Sequence, residues 1–269
     1  MPKQRLDLLL VERGLAESRS KAQALVMAGQ VFVNGEPADK SAATFPANIE
    51  IDLKSGPRFV SRGGEKLNTG LTAFNLDVSG LVCADIGAST GGFTDCLLQR
   101  DARRVYAVDV GKGILHWKIR SDPRVIVMEE TNARYIDTLP EPIGLVVIDA
   151  SFISLKILLP VVKGWLQPSP VGKKRKEKFA AVIALIKPQF EAGRRQSARG
   201  KGVIRDVQVH RTVLTDLLSF AQAQGFSIRG LMRSPLLGPK GNVEFLAWWV
   251  PNQPELDATA DMVERVLTG

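Results

Sequence analysis

A glycine-rich turn at residues 84–94 is the first part of the chain whose residue types suit ligand binding. It reads Ala-Asp-Ile-Gly-Ala-Ser-Thr-Gly-Gly-Phe-Thr and leads from a predicted strand into a predicted helix. Ser89 stands where a dinucleotide fingerprint has its second glycine, and no lysine follows Gly92 as in a phosphate loop. Phosphate-binding turns are therefore disfavoured. The remaining alternatives are another nucleotide-like ligand and an ordinary strand-to-helix turn.

Polar side chains at the ends of three predicted strands indicate which ligand this turn would bind. Asp85, just before the glycines, suits a ligand with an amino group, and Asp109, at the end of the next strand, would accept both hydroxyls of a ribose. Asn132, after the third strand, would offer its amide to an adenine edge. An amine and an adenosine together describe S-adenosylmethionine, which we expect as the cofactor. The predicted cofactor-binding residues are Asp85, Gly87, Ser89, Thr90, Gly91, Gly92, Phe93, Asp109, Val110, Asn132 and Asp149.

Four ionisable residues are candidates for catalysis at the same edge of the predicted sheet. Asp149 and Lys187 end two further strands, Glu244 opens a late strand, and Lys66 lies on a predicted helix before the first strand. The carboxyl ends of parallel strands hold the sites of such sheets, and the four groups would converge there. Two neighbouring ammonium groups favour loss of a proton from one of them, which would make that lysine a base. The alternative for Lys66 and Glu244 is a role in surface salt bridges.

The residues after Asp149 bear on the methyl acceptor. Methyltransferases that act on base nitrogens usually carry Asp or Asn followed by two prolines and an aromatic residue at this point. Here Asp149 is followed by Ala-Ser-Phe, without the prolines. An oxygen acceptor is therefore favoured.

The order of the hydrophobic segments predicts how these residues are positioned. From residue 66 onward, short apolar runs alternate with stretches long enough for crossover helices, which is typical of a doubly wound parallel sheet. The segment Pro168–Lys178, with two prolines and five basic residues, is expected to be a solvated loop. The predicted strands are 82–86, 105–108, 125–128, 145–148 and 181–186, with a later strand at 245–250 near an edge.

The first 56 residues follow a different pattern. Leucines at helical spacing from Leu6 predict a first helix, and a second helix begins at Ser18 or Ser20. An apolar run ending in Asn-Gly at 31–35 predicts a strand and a tight turn, and a further short strand follows at 49–51. The chain is therefore expected to be α/β, with a small α+β domain at 1–56, a linker at 57–61 and a doubly wound Rossmann-like domain at 62–269.

Charge and composition narrow the class of protein. The 269 residues carry 36 basic and 28 acidic side chains, and the net charge of +8 suits a polyanionic partner but is also common in other soluble proteins. Residues 1–56 hold seven of each sign, so the excess lies in the second part. Two cysteines and two histidines are too few for a disulfide framework or a usual zinc site, and we expect no metal. No apolar run approaches the ~20 residues of a membrane span, so we expect a cytoplasmic protein without membrane contact.

Six segments of the chain together resemble a known family. The runs DIGASTGGFTD, AVDVG, TNAR, IDASFISL, LIKPQFE and GNVEF are similar to those of the FtsJ-like methyltransferases. They are more similar still to the TlyA family of rRNA 2′-O-methyltransferases, historically labelled haemolysins, over nearly the whole chain. The resemblance implies that Lys66, Asp149, Lys187 and Glu244 are the family's catalytic tetrad, with Lys187 as the base that takes the proton of a ribose 2′-hydroxyl. The implied substrate is a cytidine of ribosomal RNA or of a ribosomal subunit.

The same resemblance makes residues 1–56 an S4-type RNA-binding domain, in which a helix pair and the following strand hold folded RNA. Because this domain has no net charge, its binding to RNA is expected to depend on Arg19 and Lys21 on one exposed face, with the acidic residues elsewhere. The residues expected to contact RNA are Arg5, Arg13, Arg19, Ser20, Lys21 and Asn34, with Arg62, Arg134, Arg194 and Arg195 beside the predicted active-site edge.

Two other functions remain open at this point. One is a non-catalytic RNA-binding factor that keeps a relict methyltransferase fold, since a fold does not establish an activity. The intact tetrad and glycine turn argue against it. The other is the membrane-damaging activity of the older label, which would need an amphipathic or apolar element suited to lipid.

Overall fold

The computed structural model describes residues 3–54, 56–167, 169–171, 177–193, 202–254 and 258–268. The chain divides into two compact units, Met1–Arg58 and Phe59–Gly269. Phe59, within the segment expected to be a linker, is buried in the core of the second unit. The N–H of the next residue, Val60, donates a hydrogen bond to the Asp95 carboxylate (2.9 Å).

The first unit is a small α+β domain. Its elements are β1 (Lys3–Arg5), α1 (Leu6–Glu12), α2 (Arg19–Met27), β2 (Val31–Val33), β3 (Glu36–Pro37), β4 (Thr44–Pro46) and β5 (Ile51–Leu53). β2 lies between β3 and β5 in one antiparallel sheet, and β1 pairs with β4 in another. The apolar sides of the two helices and of β2 form its core, which includes Leu6, Leu10, Ala16, Ala22, Val26, Val31 and Val33.

Local sequence signals explain the helix start and the hairpin of this unit. Ser18 caps α2 by accepting a hydrogen bond from the Lys21 N–H, which satisfies a donor that the helix cannot pair. Asn34 and Gly35 have φ values of 50° and 81°, the left-handed conformation that the turn between β2 and β3 requires. The sequence does not predict β1 or β4, because each has only three residues and no alternation of polar and apolar side chains.

A buried acid connects two arginines of this unit. Asp7, fully buried on α1, accepts hydrogen bonds from Arg5 (Nε, 3.0 Å; Nη2, 2.8 Å), Arg19 (Nε, 2.9 Å) and Gln23 (Nε2, 3.0 Å). These donors, Arg5 foremost, hold the pKa of the Asp7 carboxyl well below its usual range although burial acts in the opposite direction. The expectation that the acidic residues lie away from Arg19 is therefore wrong for Asp7. The contact joins residues 12 apart in sequence, a separation that helical spacing does not reveal.

The second unit is built on a mostly parallel sheet. Its strands are β6 (Val82–Ile86), β7 (Arg104–Val108), β8 (Val125–Met128), β9 (Leu145–Ile148), β10 (Ser169–Val171), β11 (Glu177–Phe179), β12 (Ala181–Ile186), β13 (Phe226–Arg233) and β14 (Phe245–Pro251). The main sheet has the order β13-β14-β12-β9-β6-β7-β8, and β10 and β11 form a separate hairpin. The strands from β12 to β8 are parallel, and β14 runs antiparallel between β12 and β13. The predicted doubly wound α/β fold is confirmed.

Helices cover both faces of this sheet. They are α3 (Gly63–Ala73), α4 (Gly92–Gln99), α5 (Trp117–Arg120), α6 (Leu155–Trp165), α7 (Pro188–Glu191), α8 (Val207–Ala223) and α9 (Thr259–Thr268). Ala84 and Val146 face the core shared with α6, α8 and α9, whereas Cys83 and Val147 face the core shared with α3 and α4. Because both faces are buried, the strands are continuous apolar runs, and their carboxyl ends are left as the place for polar groups.

Two elements of the second unit differ from expectation. The segment Pro168–Lys178, expected to be a solvated loop, contains β10 and most of β11, which pair from Ser169–Phe179 to Val171–Glu177. Prolines and a run of like charges are typical of loops, and this composition concealed the pairing. β13 is not predicted because it is an edge strand, with Arg229 and Gly230 interrupting its apolar residues.

We expect the core beneath α8 to be sensitive to lost volume. Leu217 is fully buried, so Leu217→Ala should lower the free energy of unfolding by about 2–5 kcal/mol. Val207, on the same helix, is 46% exposed, so Val207→Ala should change this free energy by only about 0.5 kcal/mol. Urea denaturation followed by tryptophan fluorescence measures both. Equal losses in the two variants would contradict the described packing.

The lowered pKa of Asp7 predicts how the stability of the first unit depends on pH. The folded carboxyl titrates below its unfolded value, so its contribution is complete above about pH 5 and is lost as the pH falls through about 4 and below. Asp7→Asn should therefore destabilise this unit at neutral pH, and the difference from the wild type should shrink in acid. Hydrogen exchange of the α1 and α2 amides, followed by mass spectrometry, reports on this unit within the full chain. A difference independent of pH would contradict the assignment.

Candidate active site

The glycine-rich turn connects β6 to α4 and packs directly on the end of β9. Gly87 has a φ of +80°, and a Cβ atom placed on it would lie 2.9 Å from the Asp149 carbonyl oxygen. Gly91, with a φ of +93°, directly precedes α4. Both backbone conformations favour glycine, and at Gly87 the close approach to β9 excludes a larger residue. The turn is thereby brought beside Asp149.

A cavity of about 550 Å³ opens beside this turn, at the carboxyl ends of β6, β7 and β9. In its wall, Asp109 accepts hydrogen bonds from the N–H groups of Ser89 (Oδ2, 2.8 Å) and Gly111 (Oδ1, 2.7 Å), which fix the carboxylate in place. Each oxygen keeps a further lone pair for a ligand hydroxyl. The cavity is lined by Ile86, Gly87, Ser89, Val108, Asp109, Val110, Ile114, Thr131, Asn132, Ala133, Arg134, Asp149, Ala150, Ser151, Phe152, Ile153, Ser154, Ile157 and Leu158.

Asn132 is fixed in the wall of the same cavity. Its Oδ1 accepts a hydrogen bond from the Arg134 N–H (3.1 Å) at the start of a 3-10 turn, so its amide nitrogen remains as a donor. Val110 and Ile114 add exposed apolar surface to the wall. The larger cavity thus offers a carboxylate, an amide and apolar surface, which together suit a ribose and a purine ring.

Glu129 is a residue that the sequence reasoning missed. Its carboxylate accepts hydrogen bonds from the N–H groups of Gly113 (2.9 Å), Ile114 (3.1 Å) and Leu115 (3.2 Å) and from Arg120 Nη2 (2.6 Å). The Arg120 hydrogen bond, followed by that of Gly113, lowers the pKa of Glu129 to about 2. Glu129 therefore holds the loop that carries Ile114 into the larger cavity. The sequence feature that could have indicated Glu129 is its position directly after β8, at the carboxyl end of a strand.

Asp85 lies deeper than the other predicted cofactor-binding residues. It is fully buried in β6, where it accepts a hydrogen bond from Thr94 Oγ1 of α4 (2.6 Å). Burial raises its pKa to about 7. Asp85 does not line either cavity of the site, so the expected contact with a ligand amino group has no support from its position. Gly91 also lines neither cavity and packs against Leu115 and Ile119.

A second cavity of about 300 Å³ adjoins the first. The two share Gly87, Ser89 and Asp149 in their walls, so they form one continuous stretch along the strand ends. The smaller cavity is lined by Ser61, Arg62, Gly63, Lys66, Gly87, Ala88, Ser89, Thr90, Gly92, Phe93, Asp149 and Lys187. Three of the four predicted catalytic residues are therefore together in one wall.

Lys187 follows β12 and is almost entirely buried at this cavity. Its Nζ forms an ion pair with Asp149 Oδ1 (2.7 Å) and donates hydrogen bonds to Ser151 Oγ (2.9 Å) and the Asp149 carbonyl (3.2 Å). Ser151, two residues after Asp149, is a second residue that the sequence reasoning did not assign, although it lies in the same IDASF segment. The three contacts fix the amine at the border of the two cavities.

Lys66 and Glu244 form a buried ion pair. Lys66 Nζ of α3 lies 2.5 Å from Glu244 Oε2, and the side chains are 9% and 0% exposed. The alternative that these residues form surface salt bridges is therefore wrong. We expected the two ammonium groups to favour loss of a proton from one of them. In the structure, each ammonium is instead paired with its own carboxylate, Lys66 with Glu244 and Lys187 with Asp149. Glu244 lies behind Lys66 and does not line the cavity itself.

The residues expected to contact RNA are placed in several environments. Ser20, Lys21 and Asn34 are exposed in the first unit, where Arg13 donates a hydrogen bond to the Ala47 carbonyl (2.6 Å). Arg5 and Arg19 share the buried Asp7. In the second unit, Arg62 lines the smaller cavity, and Arg134 lines the larger one and packs on the Tyr135 ring. Arg194 and Arg195 lie outside the described residues.

The described residues contain neither a metal-binding cluster nor a helix that could span a membrane. No cluster of three or more His, Cys, Asp and Glu side chains within them is arranged to hold a metal ion. Nor does any helix in this part of the chain combine the length and apolar character needed to cross a bilayer.

Family comparisons agree with the division of the chain. Residues 59–250 match the model of the FtsJ-like methyltransferase family, and residues 4–45 match the S4 domain. The first match contains both cavities and all four predicted catalytic residues. The second contains α1, α2 and the arginines that share Asp7.

Individual relatives cover most of the chain. The 16S/23S rRNA (cytidine-2′-O)-methyltransferase TlyA of Mycobacterium tuberculosis is 44% identical over 91% of this chain and 88% of its own length. The Bacillus subtilis protein named "Putative rRNA methyltransferase YqxC" is 47% identical over 91% of this chain and 84% of its own. A solved structure named "Putative hemolysin from Streptococcus thermophilus" is 42% identical, with a TM-score of 0.70 over 100% of this chain and 95% of that one. The chain therefore belongs to the FtsJ-like methyltransferase family, among relatives named TlyA, and carries an S4 domain at its N-terminus.

Proposed function

We propose that this chain uses S-adenosylmethionine to methylate the ribose 2′-oxygen of a cytidine in ribosomal RNA. The observation that carries the proposal is the Lys187 amine, held by Asp149 and Ser151 at the border of the two cavities. A buried amine with fixed partners beside a ligand-sized cavity is suited to moving a proton. The S4 domain and the activity for which the Mycobacterium tuberculosis relative is named support ribosomal RNA as the substrate.

The residues of the larger cavity fit S-adenosylmethionine. Asp109 would accept the ribose hydroxyls with the lone pairs that Ser89 and Gly111 leave free, and Asn132 would face the adenine edge. The backbone near Gly87, where a Cβ would collide with β9, would hold the methionine part close to Asp149. When bound, this cofactor supplies a methyl group on a positively charged sulfur.

Lys187 is the group that would take the proton of the acceptor hydroxyl. A ribose hydroxyl is a weak nucleophile until a base removes its proton. Lys187 Nζ can act as that base once the ammonium that pairs with Asp149 has released its own proton to solvent. Asp149 and Ser151 hold Nζ in one position, which avoids the loss of freedom that a mobile lysine would suffer. The Asp149 carboxylate then stabilises the ammonium that forms.

The buried pair of Lys66 and Glu244 would orient the acceptor and stabilise its charge. Lys66 presents a cation to the smaller cavity, where negative charge develops on the 2′-oxygen. Glu244 supports this cation from behind, because a buried ammonium without a partner would be unfavourable by about 3–5 kcal/mol. Lys66 and Lys187 therefore receive different roles, one as a fixed charge and the other as the base.

Cofactor binding is tested by removing the Asp109 carboxylate. Asp109→Ala should raise the Kd for S-adenosylmethionine by about 5–150-fold, equivalent to about 1–3 kcal/mol, because ribose hydroxyls lose their acceptor in a partly desolvated site. Asp137→Ala removes an exposed carboxylate that lines neither cavity and should leave the Kd unchanged. Isothermal titration calorimetry measures both variants. An Asp109→Ala protein that binds as tightly as the wild type would refute the assigned ribose contact.

Catalysis is tested at Lys187. Lys187→Ala should reduce methyl transfer to ribosomal RNA by at least about 100-fold while leaving the Kd for S-adenosylmethionine nearly unchanged, because the base contacts the acceptor and not the donor. Lys156→Ala, which removes a lysine paired with Asp216 outside the smaller cavity, serves as the matched control. Transfer of a labelled methyl group to purified ribosomal subunits gives the rates. If Lys187→Ala keeps more than about a tenth of the rate, another group is the base. No transfer by the wild type would favour a non-catalytic RNA-binding factor.

A further inference from the structure

Asp7 of the first unit is a buried charge that the proposed chemistry does not use. It is 0% exposed, and its two oxygens receive four hydrogen bonds from three side chains. Arg5 precedes α1, whereas Arg19 and Gln23 lie on α2. The Asp7 carboxylate therefore connects the residue before α1 to one face of α2. Removing a carboxylate from water is unfavourable, and well-packed apolar side chains often stabilise a core as well as a buried ion pair does. The buried acid therefore points to a use beyond stability.

The arrangement leaves part of each guanidinium available: one of the three nitrogens of Arg5 and two of the three of Arg19. Arg5 uses Nε and Nη2 on Asp7, and Arg19 uses Nε alone. Within the described residues, Arg5 Nη1 and both terminal nitrogens of Arg19 have no hydrogen-bond partner in the first unit. The two side chains are 37% and 53% exposed, whereas the Asp7 side chain is completely covered. A ligand that approaches this surface meets two guanidinium edges and not the carboxylate beneath them.

Fixed guanidinium groups of this kind suit phosphate. Arginine presents its N–H groups in a planar fork that pairs with two oxygens of one phosphate group. A free arginine side chain loses rotamer freedom when it binds, and a side chain already held by a buried carboxylate loses less. The exposed Ser20 and Lys21 follow Arg19 on the first turn of α2, so further donors lie beside the pair.

We propose that Asp7 is a positioning residue that holds Arg5 and Arg19 as a preformed pair of phosphate contacts for folded RNA. The inference rests on the proposed function, because it assumes that the first unit binds ribosomal RNA. If Asp7 were purely structural or only neutralised charge, the opposite effect on RNA affinity would be expected. Removing its negative charge would then leave RNA affinity unchanged or make it tighter, since the surface becomes more positive.

The test measures RNA affinity of the full-length protein for 16S and 23S rRNA transcripts by filter binding at fixed salt. The variants are Asp7→Asn, Arg19→Gln and their combination, with Glu12→Gln as the matched control because it removes an exposed acid from the same helix. Hydrogen exchange of α1 and α2 selects conditions in which the first unit is folded in every variant. Binding of S-adenosylmethionine is measured in parallel and should not change.

Positioning predicts that Asp7→Asn weakens RNA binding about tenfold despite the gain in positive charge, and that Glu12→Gln does not weaken it. Arg19→Gln should weaken binding by a similar factor in the wild type but by much less in the Asp7→Asn background, because that arginine is no longer held. Unchanged or tighter binding by folded Asp7→Asn would overturn the inference, as would additive effects in the combined variant.

A second variant decides the question if Asp7→Asn does not fold. Arg19→Lys keeps the charge of an exposed side chain but loses the planar fork that Asp7 holds. Positioning predicts a loss close to that of Arg19→Gln, and wild-type affinity of Arg19→Lys would overturn the inference. If the wild type itself bound neither transcript, the proposed RNA substrate would fail and this inference with it. If the wild type bound and methylated RNA while Arg19→Lys behaved normally, only the role of Asp7 would fall.

Discussion

The ion pair of Asp149 and Lys187 is the interaction on which the arrangement of the second unit depends. A buried ammonium is tolerated only when it is paired and its N–H groups have partners, and here the Asp149 carboxylate, the Ser151 hydroxyl and the Asp149 carbonyl supply the three partners of Lys187 Nζ. A sheet buried on both faces provides one place for such a group, the carboxyl ends of its strands. Gly87 brings the ligand-binding turn to the same place, since any larger residue would collide with the end of β9. The ligand cavity and the proposed base are therefore adjacent because of backbone geometry.

Both units use buried carboxylates to fix cations whose other atoms stay accessible. Glu244 holds Lys66 at the smaller cavity, and Asp7 holds Arg5 and Arg19 at the surface of the first unit. Glu129 fixes a loop in a similar way, because its carboxylate accepts hydrogen bonds from three consecutive backbone N–H groups and from an arginine. In each case a short-range electrostatic contact restricts the motion of a side chain or loop, so less conformational entropy remains to be lost when a ligand binds. A domain without net charge can therefore present a basic surface, since the acid that balances its arginines lies beneath them.

The sequence predicts the parts of this structure that depend on local pattern. The five parallel strands are apolar runs, and Asp109, Asp149 and Lys187 stand at strand ends, so their approximate places follow from the fold class. The identity of each lysine's partner does not follow, because Lys66 and Glu244 are 178 residues apart and meet only through the order of the sheet. The partners of Asp7 and Glu129 lie nearer in sequence, but they meet through helix packing and a loop conformation that residue spacing does not reveal. Asp85 illustrates a further limit: its position before the glycines suggested a ligand contact, yet the pleat of β6 turns its side chain to Thr94. The β10–β11 hairpin lacks apolar alternation, the signal on which strand prediction depends. In edge strand β13 the alternation covers only Phe226–Arg229 before Gly230 and a register shift interrupt it.

The central claim is that the fixed Lys187 amine directs the methyl group to a ribose oxygen. The most direct measurement is mass spectrometry of nucleosides from ribosomal RNA that the purified protein has methylated with an isotopically labelled donor. The account predicts that the label appears in 2′-O-methylcytidine, with none on a base nitrogen or carbon. Label found in a base-methylated nucleoside would contradict it, because the acceptor would then not be the hydroxyl for which this amine is placed.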